Sequence, residues 1–381
     1  MDQPVSLVLP REIKYDSLPA LPECQSQQVV VTPSNGNSFV ASQLVQFDLP
    51  SRGYLDPSSL YLRYKLTTTN TSGNQVADIQ IKGTPAYSFI SKLETLFGSS
   101  VVETINQYNQ ITNMWCNLQM DVAMKYGLQT AYGYGYTDAT AMANLDGSDK
   151  FTLAAGASTT YTYAIPLPCL LSQAEKLIPL ALMPNVRIQL TLESIANIYS
   201  VLTAATGTYT ITNIELCYSM IDFSAEVNNI VQQSFGEQFF IKTSSFQNMA
   251  TNLSTAFSGS TELVYNMRLA SIKSLFAIMS GNTANICVNG LFDSFDLTNS
   301  NGEYSFSVAS SYYPQRPIST LNSKAAVLME LKRAVASVHS DNFNTSINKV
   351  EFGRVDNTAS TIEQPAKFYV GGQSLCPQKR T

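Results

Sequence analysis

The chain has 381 residues, is 44% hydrophobic and only 13% charged, and carries a formal net charge of −5. It is long enough for two domains or one large one and apolar enough for a full core, yet it holds about half the charged share usual in soluble domains. The negative balance argues against wrapping a genome, because neutralising phosphates takes clustered Lys and Arg.

With so few charges, the 20 Tyr and 18 Phe, and the abundant Thr, Asn, Ser and Gln, point to strands and to a surface covered by neighbours. Met1-Asp2-Gln3-Pro4 has neither the basic nor the apolar region of a signal peptide. No apolar run approaches the length of about 20 residues that a membrane-crossing helix needs. Synthesis in the cytosol is the expectation.

Residues 1–24, broken by four prolines and carrying Arg11 and Lys14, read as an extended N-terminal arm that orders on assembly. Gln28 to Val31 and Leu44 to Leu49 read as strands, followed by a turn at Ser51-Arg52-Gly53. Leu60, Leu62, Tyr64 and Leu66 then alternate on one face of a further strand. Ile105, Tyr108, Ile111, Trp115, Leu118 and Val122 have helical spacing. Residues 126–160, rich in Gly, Ala, Thr and Tyr and without sustained periodicity, read as a long surface loop.

A strand at Tyr161 leads into an apolar corner where Pro166, Pro168, Pro179 and Pro184, lacking ladder donors, bracket a crossing outside the sheets. The Leu and Ile side chains of that corner must be buried, so something has to cover them. From Val186 the apolar Val186, Ile188, Leu190 and Leu192 interleave with Arg187, Gln189, Thr191 and Glu193, the period of a strand with one buried face.

The second half repeats this order at an offset of about 210 residues, as a duplicated strand-rich domain would. Gln238 to Ile241 reads as a strand, Leu263, Tyr265, Met267 and Leu269 as one face of the next, and Leu275 to Met279 as an apolar strand. A hairpin-like region follows, then a helix on Leu328, Leu331, Val335 and Val338, with Asn322 or Ser323 as its cap and Lys332 and Arg333 towards its C-terminal half. A strand at Phe368 comes next. The first half runs on after its matching strand, through Leu192 to Tyr218, whereas the second reaches Thr381 without such counterparts. Open sheet edges there predict either more chain or cover from a neighbour.

Catalytic and metal chemistry find little support. Cys24, Cys116, Cys169, Cys217, Cys287 and Cys376 are widely spaced with no CxxC pair, which suits buried free thiols better than zinc. His339 is the only histidine, placed at the end of the predicted second helix. No phosphate-loop, dinucleotide, zinc-protease or nucleophile-elbow motif occurs. Asp146 and Asp149 lie in the predicted loop, where a solvated turn suits them better than acid/base work. Trp115 falls on the apolar helix face and reads as core. The triplets at Asn70, Asn252 and Asn344 match the glycosylation pattern but mean little in a chain outside the secretory route. No catalytic, cofactor-binding or metal-binding residue is therefore assigned.

Three segments resemble a known family. The motif Leu177-Ile178-Pro179-Leu180-Ala181-Leu182 before the alternating strand, the turn and helix from Phe97 to Met120, and the connector from Tyr209 to Phe240 are similar, in that order, to the double jelly-roll major capsid proteins of tailless icosahedral DNA viruses. These form the adenovirus, tectivirus, virophage and giant-virus lineage. The resemblance implies an all-β chain of two tandem jelly-roll β-sandwich domains, each with one helix in a strand connection. The first would span 25–228, with 126–160 building an outward tower, and the second, incomplete at its end, 229–381.

It further implies a viral structural protein of the virion: a homotrimer whose six rolls make a pseudo-hexameric capsomer and then a capsid lattice. Minor capsid and vertex proteins would be its partners, with membrane contact through the arm and no direct sequence-specific nucleic-acid binding. Two alternatives stay open. One is a carbohydrate-binding or carbohydrate-active β-sandwich protein, since aromatics and Asn/Asp-rich loops also suit sugars; the other is a minor capsid or vertex protein.

Overall fold

The computed structural model describes residues 24–71, 79–81, 84–133, 151–153, 156–201, 207–235, 239–252, 259, 261–266, 269, 271–278, 303–319, 324–339 and 370–375. Its first part is an eight-stranded, two-sheet sandwich. The strands in chain order are β1 (Cys24–Val31), β2 (Leu44–Asp48), β3 (Tyr61–Asn70), β4 (Ile90–Phe97), β5 (Ser100–Asn106), β6 (Ser158–Pro166), β7 (Val186–Leu192) and β8 (Gly207–Phe223). One sheet runs β1-β8-β3-β6 and the other β2-β7-β4-β5, antiparallel throughout. Chain-order neighbours thus fall in opposite sheets except at the β4–β5 hairpin, which is the jelly-roll pattern.

The predicted alternations produce this sandwich directly. β7 alternates buried and half-buried from Val186 to Leu192, and β3 buries Leu62, Tyr64 and Leu66. The β3 side chains meet those of β7 and Val45, Phe47, Leu93 and Ile105 of the same facing sheet in one core. Each fully buried Leu, Ile or Phe contributes about 1.5–3 kcal/mol. Tyr64 and Tyr163 meet edge-on, with ring centroids 5.6 Å apart.

β8 is long enough to serve the whole sheet. Its end pairs with β1, and its start also pairs with Ser38–Val40. A bulge between Thr212 and Glu215, where Asn213 has φ 49°, keeps both stretches in register with β3.

Several boundaries differ from the sequence reading. The predicted loop 126–160 opens with the end of a short helix, Val122–Gly127, and a helical turn at Gln129–Tyr132, whose Tyr132 is buried, and closes with Phe151–Leu153 and the first residues of β6. Residues 134–150 lie outside the described residues, as do residues 1–23 of the arm. Phe151–Leu153 pairs with Ile79–Ile81, which also carries Tyr199–Val201.

The proline corner is not wholly outside the sheets. Ile178–Pro179 makes a two-residue ladder with Tyr54–Leu55, because proline lacks only a donor and an edge position needs none. A turn of 3₁₀ helix, Leu180–Leu182, completes that motif. The predicted helix of the first half is α1 (Tyr108–Gln119). Where a polar connector was expected after β8, a helix forms instead: α2 (Ala225–Phe235), with Val227, Ile230 and Val231 at helical spacing, so that residue 228, the expected domain boundary, is inside it.

In the second half the described elements are β9 (Ser274–Ile278), the hairpin β10 (Glu303–Val308) and β11 (Ser311–Ser319), α3 (Lys324–His339) and β12 (Val370–Ser374). β12 pairs with β9 and α3 packs on them. These match the expected apolar strand, hairpin and helix; the strand expected at Phe368 begins, among the described residues, at Val370. The cap residues Asn322 and Ser323 lie outside the described residues.

The strands expected at 238–241 and 263–269 are not formed among the described residues there, which pair in no ladder. Leu263 and Tyr265 are 41% and 40% exposed against 78% for Val264. The alternation is present, but a strand needs a backbone partner as well as a face.

Candidate assembly surfaces and the junction between the two halves

Residues 239–249 run as a strap along the first roll. Phe239, Ile241 and Phe246 pack against the sandwich core, supplying cover of the kind the apolar corner calls for. Thr243 Oγ1 donates to the carbonyl of Leu170 at 2.6 Å, the Glu175 amide donates to the carbonyl of Lys242 at 3.2 Å, and Lys242 Nζ lies 2.7 Å from Glu175 Oε1. Asn248 Nδ2 donates to Gln107 Oε1 at 3.1 Å.

The carboxylate of Glu103, on β5 and 3% exposed, sits under this strap. It accepts from Thr95 Oγ1 at 3.0 Å, from the Leu170 amide at 2.8 Å and from Ser245 Oγ at 2.6 Å. Burial pushes its pKa above the usual carboxylate value, and the bonds from Ser245, Leu170 and Thr95 pull the other way without cancelling the rise.

A second apolar cluster joins the two halves. Met114, Trp115 and Leu118 of α1 pack with Ile318 of β11 and Val327, Leu331 and Val335 of α3. Trp115 meets Phe246 of the strap at 5.8 Å and Phe276 of β9 at 5.2 Å. The sequence placed Trp115 in a core, and the structure makes that core the seam between the halves.

The outer face of the β1-β8-β3-β6 sheet is an array of small hydroxyls. Register places Ser158, Thr69 and Thr208 in one row, Thr160, Thr67, Thr210 and Val40 in the next, and Thr162, Lys65, Thr212 and Ser38 in a third. Thr67 and Thr160, and Thr69 and Ser158, hydrogen-bond each other across strands at 3.0 Å. Lys65 is the one charge in those rows. At their end, Arg63 pairs with Glu215 beside a shallow depression of about 330 Å³ lined also by Tyr64, Lys65, Thr162 and Asn213. The only carboxylate lining it is bound to Arg63, so this depression holds no free acid/base pair. On the other sheet, edge strand β5 exposes Val101 and Val102.

The residues weighed for chemistry are scattered. Cys116, Cys169 and Cys217 are buried and in no disulfide, burial raising the thiol pKa of Cys169 to about 12, whereas Cys24 is exposed because it begins edge strand β1. Cys287, Cys376, Asp146, Asp149 and Asn344 lie outside the described residues. His339 is the last residue of α3. Asn70 is buried and Asn252 exposed. Among the described residues no three His, Cys, Asp or Glu side chains converge as a metal set would, and no helix is long and apolar enough to cross a membrane.

Residues 58–234, which cover six of the sandwich's eight strands, β3 to β8, together with α1 and most of α2, match the family model described as "Major capsid protein N-terminus". No curated protein sequence shows significant similarity to the chain. Among solved structures, the Faustovirus major capsid protein is similar at 10% identity and TM-score 0.40, over 61% of this chain and 59% of that one. The PBCV-1 virus capsid is similar at 10% and 0.39, over 78% and 56%. The mavirus major capsid protein is similar at 12% and 0.34, over 59% and 54%. The chain therefore spans between half and three fifths of the length of these structures, and at such scores they add nothing to the family match.

Proposed function

We propose, for a chain whose residues 58–234 match the family model for the N-terminus of major capsid proteins, that it is a shell subunit of a tailless icosahedral DNA virus. The observation that carries this reading is the coincidence of that match with a jelly roll whose outer sheet face is nearly uncharged. Such a face loses little on desolvation, since the hydroxyls of Thr67 and Thr160, and of Thr69 and Ser158, already bond one another across strands.

In this reading the chain works by geometry and not by catalysis. The second half, with its own helix, hairpin and ladder, is a second roll. Three chains place six similar rolls around a threefold axis, and the resulting pseudo-hexagonal trimer tiles a lattice. Minor capsid and vertex proteins fill positions that trimers cannot, the N-terminal arm faces an internal membrane or neighbouring capsomers, and the genome is not bound through sequence-specific contacts. Synthesis in the host cytosol and residence in the virion follow.

The test is the solution mass of the purified chain by light scattering after size exclusion, with negative-stain images. A stable species of three chains with a hexagonal outline is the expected result. A monomer that forms no lattice and binds oligosaccharide would replace this reading with that of a carbohydrate-binding sandwich.

A further inference from the structure

We propose that residues 239–249 are a latch that fixes how the second half docks on the first roll, with Glu103 as its buried catch and Trp115 as the wedge that docking covers. Three independent contacts carry this. Glu103 gathers donors from β4, from the apolar corner and from the strap, so all three segments meet at its carboxylate. Thr243 and Lys242 repeat the attachment of the strap to the corner at Leu170 and Glu175. Phe246 belongs to both apolar clusters, and the same residue that follows Ser245 therefore touches Trp115 across the seam.

Glu103 is a positioning residue: its hydrogen-bond partners Thr95, Leu170 and Ser245 all lie outside β9 to β12, and it acts on the seam by holding the strap. The arrangement separates two jobs. Apolar burial at Trp115, Leu331 and Val335 supplies adhesion between the halves but little direction, because such contacts tolerate sliding. A buried carboxylate with three donors tolerates very little, since any shift leaves an acceptor unsatisfied. The latch stands on these contacts alone and not on the shell-subunit reading.

Trp115 is the only tryptophan of the chain, so its emission reports the seam directly. The experiment is denaturant unfolding of the full chain, followed in parallel by Trp115 fluorescence and by far-UV circular dichroism, for wild type, Ser245→Ala and Glu103→Gln. In wild type the two signals are expected to change together. In Ser245→Ala, which removes only the strap's donor to Glu103, the fluorescence transition is expected to move to lower denaturant while the dichroism transition stays, with the seam opening about tenfold more readily. Glu103→Gln is expected to do the same; if it yields no folded protein, Ser245→Ala decides alone. Coincident transitions in the Ser245→Ala variant, whether shifted or unshifted, would overturn the proposal, because the strap would then contribute to the roll as a whole or not at all.

Discussion

Trp115 meets Phe276 edge-on, with ring centroids 5.2 Å apart and planes at 73°, which sets α1 of the first roll against β9 of the second half. An edge-on aromatic pair adds about 0.5–1.5 kcal/mol to the burial of both rings. Trp115 is 6% exposed and its neighbours Leu118 and Leu331 are fully buried, so the seam is packed as a core and not as a loose domain contact.

Trp115→Ala is therefore expected to destabilise the chain by about 3–5 kcal/mol, as large-to-small changes of buried aromatics do. Trp115→Phe, which keeps an edge for Phe276, is expected to cost less than half as much. Urea unfolding followed by far-UV circular dichroism compares the two. Equal losses would mean that the indole's extra ring contributes everything and the aromatic pairing nothing.

Gly372 marks where β12 crosses α3. A Cβ placed there would lie 2.9 Å from Leu331 Cδ1, 3.1 Å from Ala334 Cβ and 3.1 Å from the Leu331 Cα, the last a backbone atom that cannot turn away. Gly372→Ala is expected to push the helix off the ladder and lose about 1–3 kcal/mol, with Gly372→Val losing more. Thermal unfolding of the two variants beside wild type measures this, and an unchanged midpoint in Gly372→Ala would show that helix and strand are not pressed together.

What the sequence made legible, and what it did not, follows from the range of each interaction. Val186 to Leu192 announce their strand because burial alternates residue by residue, and Tyr108 to Leu118 announce their helix in the same local way. The same rule misleads at Leu263 to Leu269, where alternation exists without a pairing partner among the described residues. The helix Ala225–Phe235 carried a readable signal in Val227, Ile230 and Val231 that its polar neighbours concealed. The catch at Glu103 carried none: Thr95, Leu170 and Ser245 come from three separate segments, and nothing near residue 103 in sequence shows that its carboxylate is buried.

Arg187 and Asp48 stand directly opposite each other on β7 and β2, with Nε donating to Oδ1 at 2.6 Å. Burial alone would raise the Asp48 pKa, but the bonds from Arg187, Ser34 and Gln46 outweigh it and leave the group below its usual 3.8. A depressed carboxylate stabilises the fold above its unfolded value and loses that contribution as pH falls through the folded one. Both side chains are 31% exposed, so the pair is worth at most about 1 kcal/mol. Asp48→Asn is expected to reduce stability at neutral pH by that amount and to make no difference well below pH 3, as unfolding midpoints across an acid series would reveal.

Glu103 has the opposite sign. Its folded pKa lies above the unfolded 4.5, so the native state holds its proton over a window in which the unfolded chain has released it. The stabilisation is fully present below 4.5 and is lost as pH rises through the folded value. Tyr108 and Cys169, which face Glu103, are driven by burial far up from neutrality, the thiol to about 12, and stay uncharged throughout. Wild type is therefore expected to lose stability relative to Glu103→Gln as pH is raised from 4.5, and the difference is expected to level off once the carboxyl is ionised in both states. Since Asp48 titrates below this window, the two groups are separable in one pH series. A flat difference between wild type and Glu103→Gln from pH 4.5 to 8 would show that burial does not set the protonation of this carboxyl.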